Sequence, residues 1–330
     1  MTDISLIICS RNRAATLREC LASLDAQVLR RFDVEVVVVD SASDDDTGKV
    51  IAAYAEGAST PVRCLRAELP GVARAQNLAL QHATGELLVF TDDDCRLSPD
   101  YFDTLAAHFD RNIYDYGGGR ILHGEADADD RMAATDWLGE EEVMVLPPRS
   151  MLLPGTIQGA NMFFMRRVFE HIGGFSELLG PGSVVGSGAD TEFSMRACLA
   201  GFRGVCLGQV RIFHHHGNRA GSAEAARVVL RYARGRGGFF ASMVAQGLPR
   251  GFDYWKRWMG AAGGRPNQID VVRLINEFRG AADFLEALLQ CPKPARPGWR
   301  RDYPEVMPAS VGATSPAAAE GSEPAAPSVS

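Results

Sequence analysis

An unbroken apolar run from Ile4 to Cys9 is followed by the polar stretch Ser10-Arg11-Asn12-Arg13, and then by Leu17, Cys20, Leu21 and Leu24 at helical spacing. The run predicts a strand buried on both faces, and the spacing predicts an amphipathic helix from Thr16 to Ala26. The alternation repeats. Val34 to Val39 predicts a second strand ending in Asp40, with a helix from Thr47 to about Ala55. Val62 to Arg66 predicts a short third strand, Val72 to His82 a helix, and Leu87 to Thr91 a fourth strand. Strands alternating with helices predict an α/β fold: a mainly parallel sheet with helices on both faces, which binds ligands beyond the carboxyl ends of its strands. Ser10 to Arg13, Asp40, and Asp92 to Asp94 all fall at those ends.

The second half is less regular. Tyr101 to Phe109 predicts a helix, and Gly117-Gly118-Gly119 leads into a strand at Arg120 to His123. Residues 124 to 155 form a polar segment holding Trp137, and a loop of this length inside a compact domain is expected to be a functional lid. Ala160 to Met165 predicts a strand, Arg166 to Ile172 a helix stopped by Gly173-Gly174, Asp190 to Gly201 a helix, and Val205 to Phe213 a strand running into His214-His215-His216. From about Ala223 to Gln290 the pattern is helical, with interruptions expected at Gly235 to Gly238, Gly247 to Pro249 and Gly260 to Pro266. Beyond Pro292 the composition turns to Pro, Ala, Ser and Glu, which predicts a disordered tail. The expected organisation is an α/β domain over residues 1–222, with halves meeting near residue 120, a helical region over 223–291, and the tail 292–330.

Composition narrows the chemistry. A net charge of −7 argues against a nucleic-acid binder, so any anionic ligand must be held by local groups. The cysteines at 9, 20, 64, 95, 198, 206 and 291 form no CxxC pair, which argues against zinc and disulfide frameworks. No basic n-region precedes Ile4, and no apolar stretch approaches the length of a membrane span. The expectation is a cytoplasmic protein, with peripheral contact on the inner face of a membrane left open for the helical region.

Asp92, Asp93 and Asp94 stand directly after the Leu87 to Thr91 strand. Like charges this close raise one another's pKa, and a divalent cation with oxygen ligands would relieve the repulsion. Helix capping ahead of Ser98-Pro99-Asp100 is the alternative, though it requires one Asp rather than three. Asp40 suits a hydrogen bond to a ribose or base, or a cap on the next helix. Arg74 and Asn77 share one helix face, where the planar guanidinium suits a phosphate. Asp190 and Glu192 follow the glycine-rich Gly186-Ser187-Gly188, at a helix start that keeps a carboxylate ionised for general-base work or serves only as a cap. Strand alternation sends His214 and His216 to one face, where one imidazole could complete a coordination sphere.

Taken in order, Ser5 to Arg13, Val37 to Asp44, Gly71 to Asn77, Gly85 to Asp94, Gly173-Gly174-Phe175 and Gly188 to Gly201 resemble the family 2 glycosyltransferases, over residues 4 to about 216. The resemblance implies a GT-A fold with a C-terminal helical extension, a nucleotide-diphosphate-sugar donor, a hydroxyl-bearing acceptor, and Mg²⁺ or Mn²⁺ at a DXD motif, with inversion at the anomeric carbon. Ser10, Arg13 and Asp40 would line the nucleoside pocket, helped by Arg74 and Asn77. Asp92 and Asp94 would be the DXD pair, Asp94 nearest the metal and Asp92 and Asp93 towards the donor, with His214 an added ligand. Asp190 matches the second acid of the family's Glu-Asp motif, the catalytic base. The first acid is replaced by Ala189, and Glu192 is the candidate substitute. Loop 180 to 188 and Trp137 would meet the acceptor. A sugar-phosphate nucleotidyltransferase and a non-catalytic sugar-nucleotide-binding module are the alternatives. The former would need a basic, glycine-rich triphosphate loop that Ser10 to Ala15 lacks.

Overall fold

The computed structural model describes residues 3–24, 32–124, 138–215, 223–248, 250–261 and 271–291. Trp137, His216 and the tail 292–330 lie outside them.

The first half follows the predicted alternation: β1 (Ile4–Ser10), α1 (Ala14–Leu24), β2 (Val34–Ser41), α2 (Thr47–Gly57), β3 (Val62–Ala67), α3 (Val72–His82) and β4 (Leu87–Asp92). β1, β2, β3 and β4 are parallel, so their carboxyl ends share one rim. A short strand that the residue pattern does not reveal, β5 (Cys95–Leu97), then precedes α4 (Tyr101–His108) and β6 (Tyr116–His123). The glycines expected to lead into β6 lie inside it.

After β6 come β7 (Val143–Leu146), β8 (Met162–Met165), α5 (Arg166–Ile172), α6 (Ala189–Leu199) and β9 (Gly204–His214). The order across the sheet is β3-β2-β1-β4-β8-β6-β9-β5, with β7 paired to β9. β8 is antiparallel to β4 and β6, whereas β6 and β9 are parallel. The stretch 124 to 155, expected to be one polar loop, therefore contains a strand, because Val143 to Leu146 completes the ladder along β9. Two apolar clusters fill the two sides of the sheet, one around Phe90, Phe164 and Phe193, the other around Ile8, Val36 and Tyr101.

The C-terminal helices are α7 (Ala223–Ala245), α8 (Arg250–Ala261) and α9 (Val271–Gln290). Here the expected break at Gly235 to Gly238 is corrected, since α7 runs straight through it. A glycine inside a helix costs about 1 kcal/mol relative to alanine. Close packing offsets that cost: a Cβ on Gly237 would collide with the Glu277 carbonyl, and one on Gly280 with that of Arg234. The glycines let α7 and α9 meet backbone to backbone. Phe239, Phe240 and Phe284 of these helices join the same apolar cluster as Phe193 of α6.

Gly237→Ala is expected to lower stability by about 1–3 kcal/mol through overpacking. Gly57→Ala, where an added Cβ meets nothing within 4 Å, is expected to leave stability unchanged or raise it by up to about 1 kcal/mol. Urea midpoints of the two variants check the contrast.

Candidate active site

β4 ends at Asp92, and a tight turn through Asp93 and Asp94 sends the chain back as β5. β5 pairs antiparallel with the end of β9, opposing Cys95 to His214. This register brings an imidazole to the acid turn from far along the chain. The His214 Nε2 atom lies 3.0 Å from Asp94 Oδ1. From the neighbouring strand end, Ser10 Oγ donates to Asp93 Oδ2 at 2.6 Å. Arg13 Nη1 donates to Asp93 Oδ1 at 2.5 Å and to Asp94 Oδ2 at 2.9 Å. Arg13 thus lies against the acid turn and neutralises part of it.

Burial and the neighbouring Asp94 charge push the Asp92 carboxyl up to about 7. Burial acts on Asp94 in the same direction, but the His214 hydrogen bond and the Arg13 charge hold it well below the usual carboxylate range. Asp93 is raised by burial in spite of Arg13 and Ser10. Carboxyls crowded and perturbed in this way mark a candidate functional site.

One ligand atom from each of Asp92, Asp94, Cys95 and His214 lies within 4.8 Å of the others. Two carboxylates and an imidazole suit Mn²⁺ or Mg²⁺. Cys95 completes the group, but its soft sulfur suits neither of these ions. The three remaining residues fit a divalent cation.

Asp190 faces the same space. α6 starts from Gly188, whose φ of 94° places it in the left-handed region. The helix cap is therefore this glycine, and Asp190 lies inside the first turn. Its Oδ2 accepts the Gly159 N–H at 2.9 Å and its Oδ1 accepts the Thr191 N–H at 2.8 Å. Burial raises its proton affinity, and these amides oppose the rise. Its charge is felt at Asp92.

A cavity of about 730 Å³ joins these groups: Ser10, Arg13, Asp92 to Asp94, His214 and Asp190 all line it. The other expected site residues are placed elsewhere. Asp40 is 2% exposed, accepts the Ser43 N–H at 2.8 Å and is ion-paired with Arg66. Arg74 pairs with Glu177 at 3.1 Å. Asn77 clamps Phe175 by donating to its carbonyl at 3.0 Å and accepting its N–H at 2.8 Å. Glu192 faces the core, where Arg196 Nε and Nη2 each donate to it at 3.0 Å. These four residues do not line the cavity.

Gln158 and Trp258, which line the cavity, escape the sequence reading. Arg231 and Arg236 also line it; the basic, aromatic Arg231 to Gly238 stretch reads in the sequence as an acceptor-side or membrane-surface helix or as a solvated hinge, and it is part of the continuous helix α7. Ala189 also lines the cavity and is 6% exposed.

The sequence model of glycosyl transferase family 2 matches residues 5–173, more than half of the chain. The chain belongs to this family. Among its relatives, poly(ribitol-phosphate) beta-N-acetylglucosaminyltransferase TarS of Staphylococcus aureus is 30% identical over 115 residues, covering 35% of this chain and 20% of the relative. Glycosyltransferase AglE of Haloferax volcanii is 24% identical over 203 residues, covering 60% of this chain and 62% of its own. The chain thus spans less than two thirds of either relative. Among solved structures, the mannosyltransferase PcManGT of Pyrobaculum calidifontis, in complex with GDP-Man and Mn²⁺, superposes with a TM-score of 0.55 at 22% identity, over 89% of this chain and 79% of that one. S. aureus TarS 1–349 with UDP-GlcNAc gives 0.55 at 19%, over 89% and 82%. The family member described here has the GT-A fold of these structures, and C-terminal helices follow its sheet. No helix among the described residues is long and apolar enough to cross a membrane.

Glu192→Ala would leave Arg196, itself 1% exposed, as an uncompensated buried cation, at an expected cost of about 3–5 kcal/mol. Urea unfolding checks this; a stable variant impaired only in turnover would return Glu192 to the catalytic role.

Proposed function

We propose that this family 2 member is an inverting, divalent-metal-dependent glycosyltransferase. It moves a sugar from a nucleotide diphosphate to an acceptor hydroxyl, in the synthesis of a cell-envelope polysaccharide, glycolipid or glycoconjugate. The observation that carries the reading is the meeting of Asp190 with the Asp92, Asp94 and His214 cluster in one cavity. PcManGT was solved with GDP-Man and Mn²⁺, and TarS with UDP-GlcNAc, on the same fold. That supports a nucleotide-sugar donor and a metal here.

Asp92, Asp94 and His214 would hold the cation, whose chemistry when bound is to offset charge on the departing diphosphate. Ser10 and Arg13 fix Asp93 and with it the shape of the turn. Asp190, kept in place by two backbone N–H groups, accepts the acceptor's proton as its oxygen bonds to the anomeric carbon and the bond to the diphosphate breaks. Its raised proton affinity makes it a better base than an exposed carboxylate. Base and leaving group act from opposite sides of the sugar ring, so the configuration inverts.

Asp40, Arg74 and Asn77 act on the site from behind. Asp40 and Arg66 brace the β2 terminus beside Ser41, which lines the cavity. Asn77 and Arg74 hold the Phe175 to Glu177 segment. Family membership favours transfer over nucleotidyl transfer, and an acid at Asp190 favours turnover over binding alone.

Asp190→Asn keeps the side-chain shape and removes the base. Nucleoside-diphosphate release from a panel of UDP- and GDP-sugars with acceptor is expected to fall about 10²–10⁴-fold, with Mn²⁺-dependent nucleoside-diphosphate affinity unchanged. Turnover within a few-fold of wild type would remove Asp190 from the role.

A further inference from the structure

α9 has the reverse of the polarity expected of a surface helix. The face turned to α7 carries the buried Glu277, Gly280 and Phe284. The face turned away carries Val271, Ile275, Phe278, Ala282, Leu285 and Leu289, all exposed, with Phe278 at 52% and Leu289 at 81%. A surface helix ordinarily directs its apolar stripe to the core and its polar face to water. An apolar face of this length left in water marks an interaction surface.

The spacing shows what kind of partner fits. From Val271 to Leu289 the stripe advances by alternating steps of four and three residues, the period of about 3.5 residues that defines a coiled-coil seam. At a rise of about 1.5 Å per residue the seam is about 27 Å long. Neighbouring α8 widens it: Phe252, 57% exposed, and Phe278 both lie edge-on to Trp255, with ring centroids 6.4 and 5.5 Å from it.

The charges beside the seam disfavour a membrane and match a second copy of this chain. α9 sets Arg273 and Arg279 against Glu277, Asp283 and Glu286, so it lacks the basic border by which helices bind anionic lipid. Arg279 and Glu286 are both exposed, and each directly follows a seam residue, Phe278 and Leu285. They therefore lie on one flank of the seam, one heptad apart. When two such helices run antiparallel about a two-fold axis, that flank meets itself, and Arg279 of each copy comes beside Glu286 of the other. The same register sets Phe278 against Leu289 and Ala282 against Leu285, twice over. The face is its own complement in period and in charge.

We propose that α9 is the dimerisation element of this protein, pairing antiparallel with α9 of a second copy through Phe278, Ala282, Leu285 and Leu289. Among the described residues, none of α9 lines the cavity, and the glycine contacts of α9 with α7 lie on its other face. The interface thus braces α7 from behind and leaves the cavity open.

Sedimentation equilibrium of the full chain across micromolar concentrations is expected to show a reversible dimer. Phe278→Asp and Leu285→Asp, at exposed positions, are expected to give monomers with unchanged far-UV circular dichroism. Arg279→Glu and Glu286→Arg each set like charges together at two places, and each is expected to weaken the dimer about tenfold. The variant carrying both substitutions is expected to recover wild-type affinity, which a merely structural role of these residues would not produce. A wild type that stays monomeric overturns the interface, as does a dimer that Phe278→Asp leaves intact. A double variant no tighter than the single ones overturns the antiparallel register. A monomer that binds phosphatidylglycerol vesicles, and loses that binding in Phe278→Asp, overturns the dimer in favour of a lipid surface.

Discussion

Four carboxyl groups, Asp92, Asp93, Asp94 and Asp190, line one cavity, with Arg13 as a nearby counter-charge and His214 against Asp94. Two unit charges 4.8 Å apart, the limit that encloses the ligand atoms of Asp92, Asp94 and His214, repel by about 3 kcal/mol at an effective dielectric near 20. The protein tolerates this by dividing roles. Asp93 is satisfied by Ser10 and Arg13, Asp94 by Arg13 and His214, and Asp190 by backbone amides. Asp92 receives the least compensation, and its carboxyl is pushed up to about 7. A divalent cation is the ligand that would settle the whole group.

The fold delivers these charges without placing them adjacent in sequence. The parallel strands β1 and β4 end at the same rim, which sets Ser10 and Arg13 beside the acid turn. The antiparallel pairing of β5 with β9 brings His214 to the turn. α6 supplies Asp190 from the other side, over Gly159. α7 then closes the cavity, and it can do so only because glycines admit Ser187 on one face and α9 on another. The C-terminal helices are in this sense part of the site.

The βα repeats of the first half are legible because each strand is apolar throughout and each helix keeps one apolar face. α3 starts and ends where the pattern places it, at Val72 and His82. The acid turn is legible as well, since three carboxylates at a strand end have few structural explanations. β5 and β7 are not: three or four residues carry too little periodicity, and both exist through their ladders with β9. Short-range pattern also does not show what Asp40 and Glu192 pair with. A carboxylate at a strand end or in a first helical turn looks alike whether it meets a ligand or an arginine, and Arg66 and Arg196 arrive through tertiary packing. Gly235 to Gly238 misleads for a related reason, because a glycine run signals a break unless another helix lies against it.

The central claim, that Asp92, Asp94 and His214 together hold a divalent cation against the leaving diphosphate, is tested most directly by anomalous diffraction at the manganese edge. Crystals grown with Mn²⁺ and a nucleoside diphosphate would be used. The account predicts one strong peak about 2.0–2.4 Å from an Asp94 oxygen and the His214 nitrogen, with diphosphate oxygens completing its shell. A fully bound nucleoside diphosphate with no peak there, or with the ion held elsewhere, would contradict it.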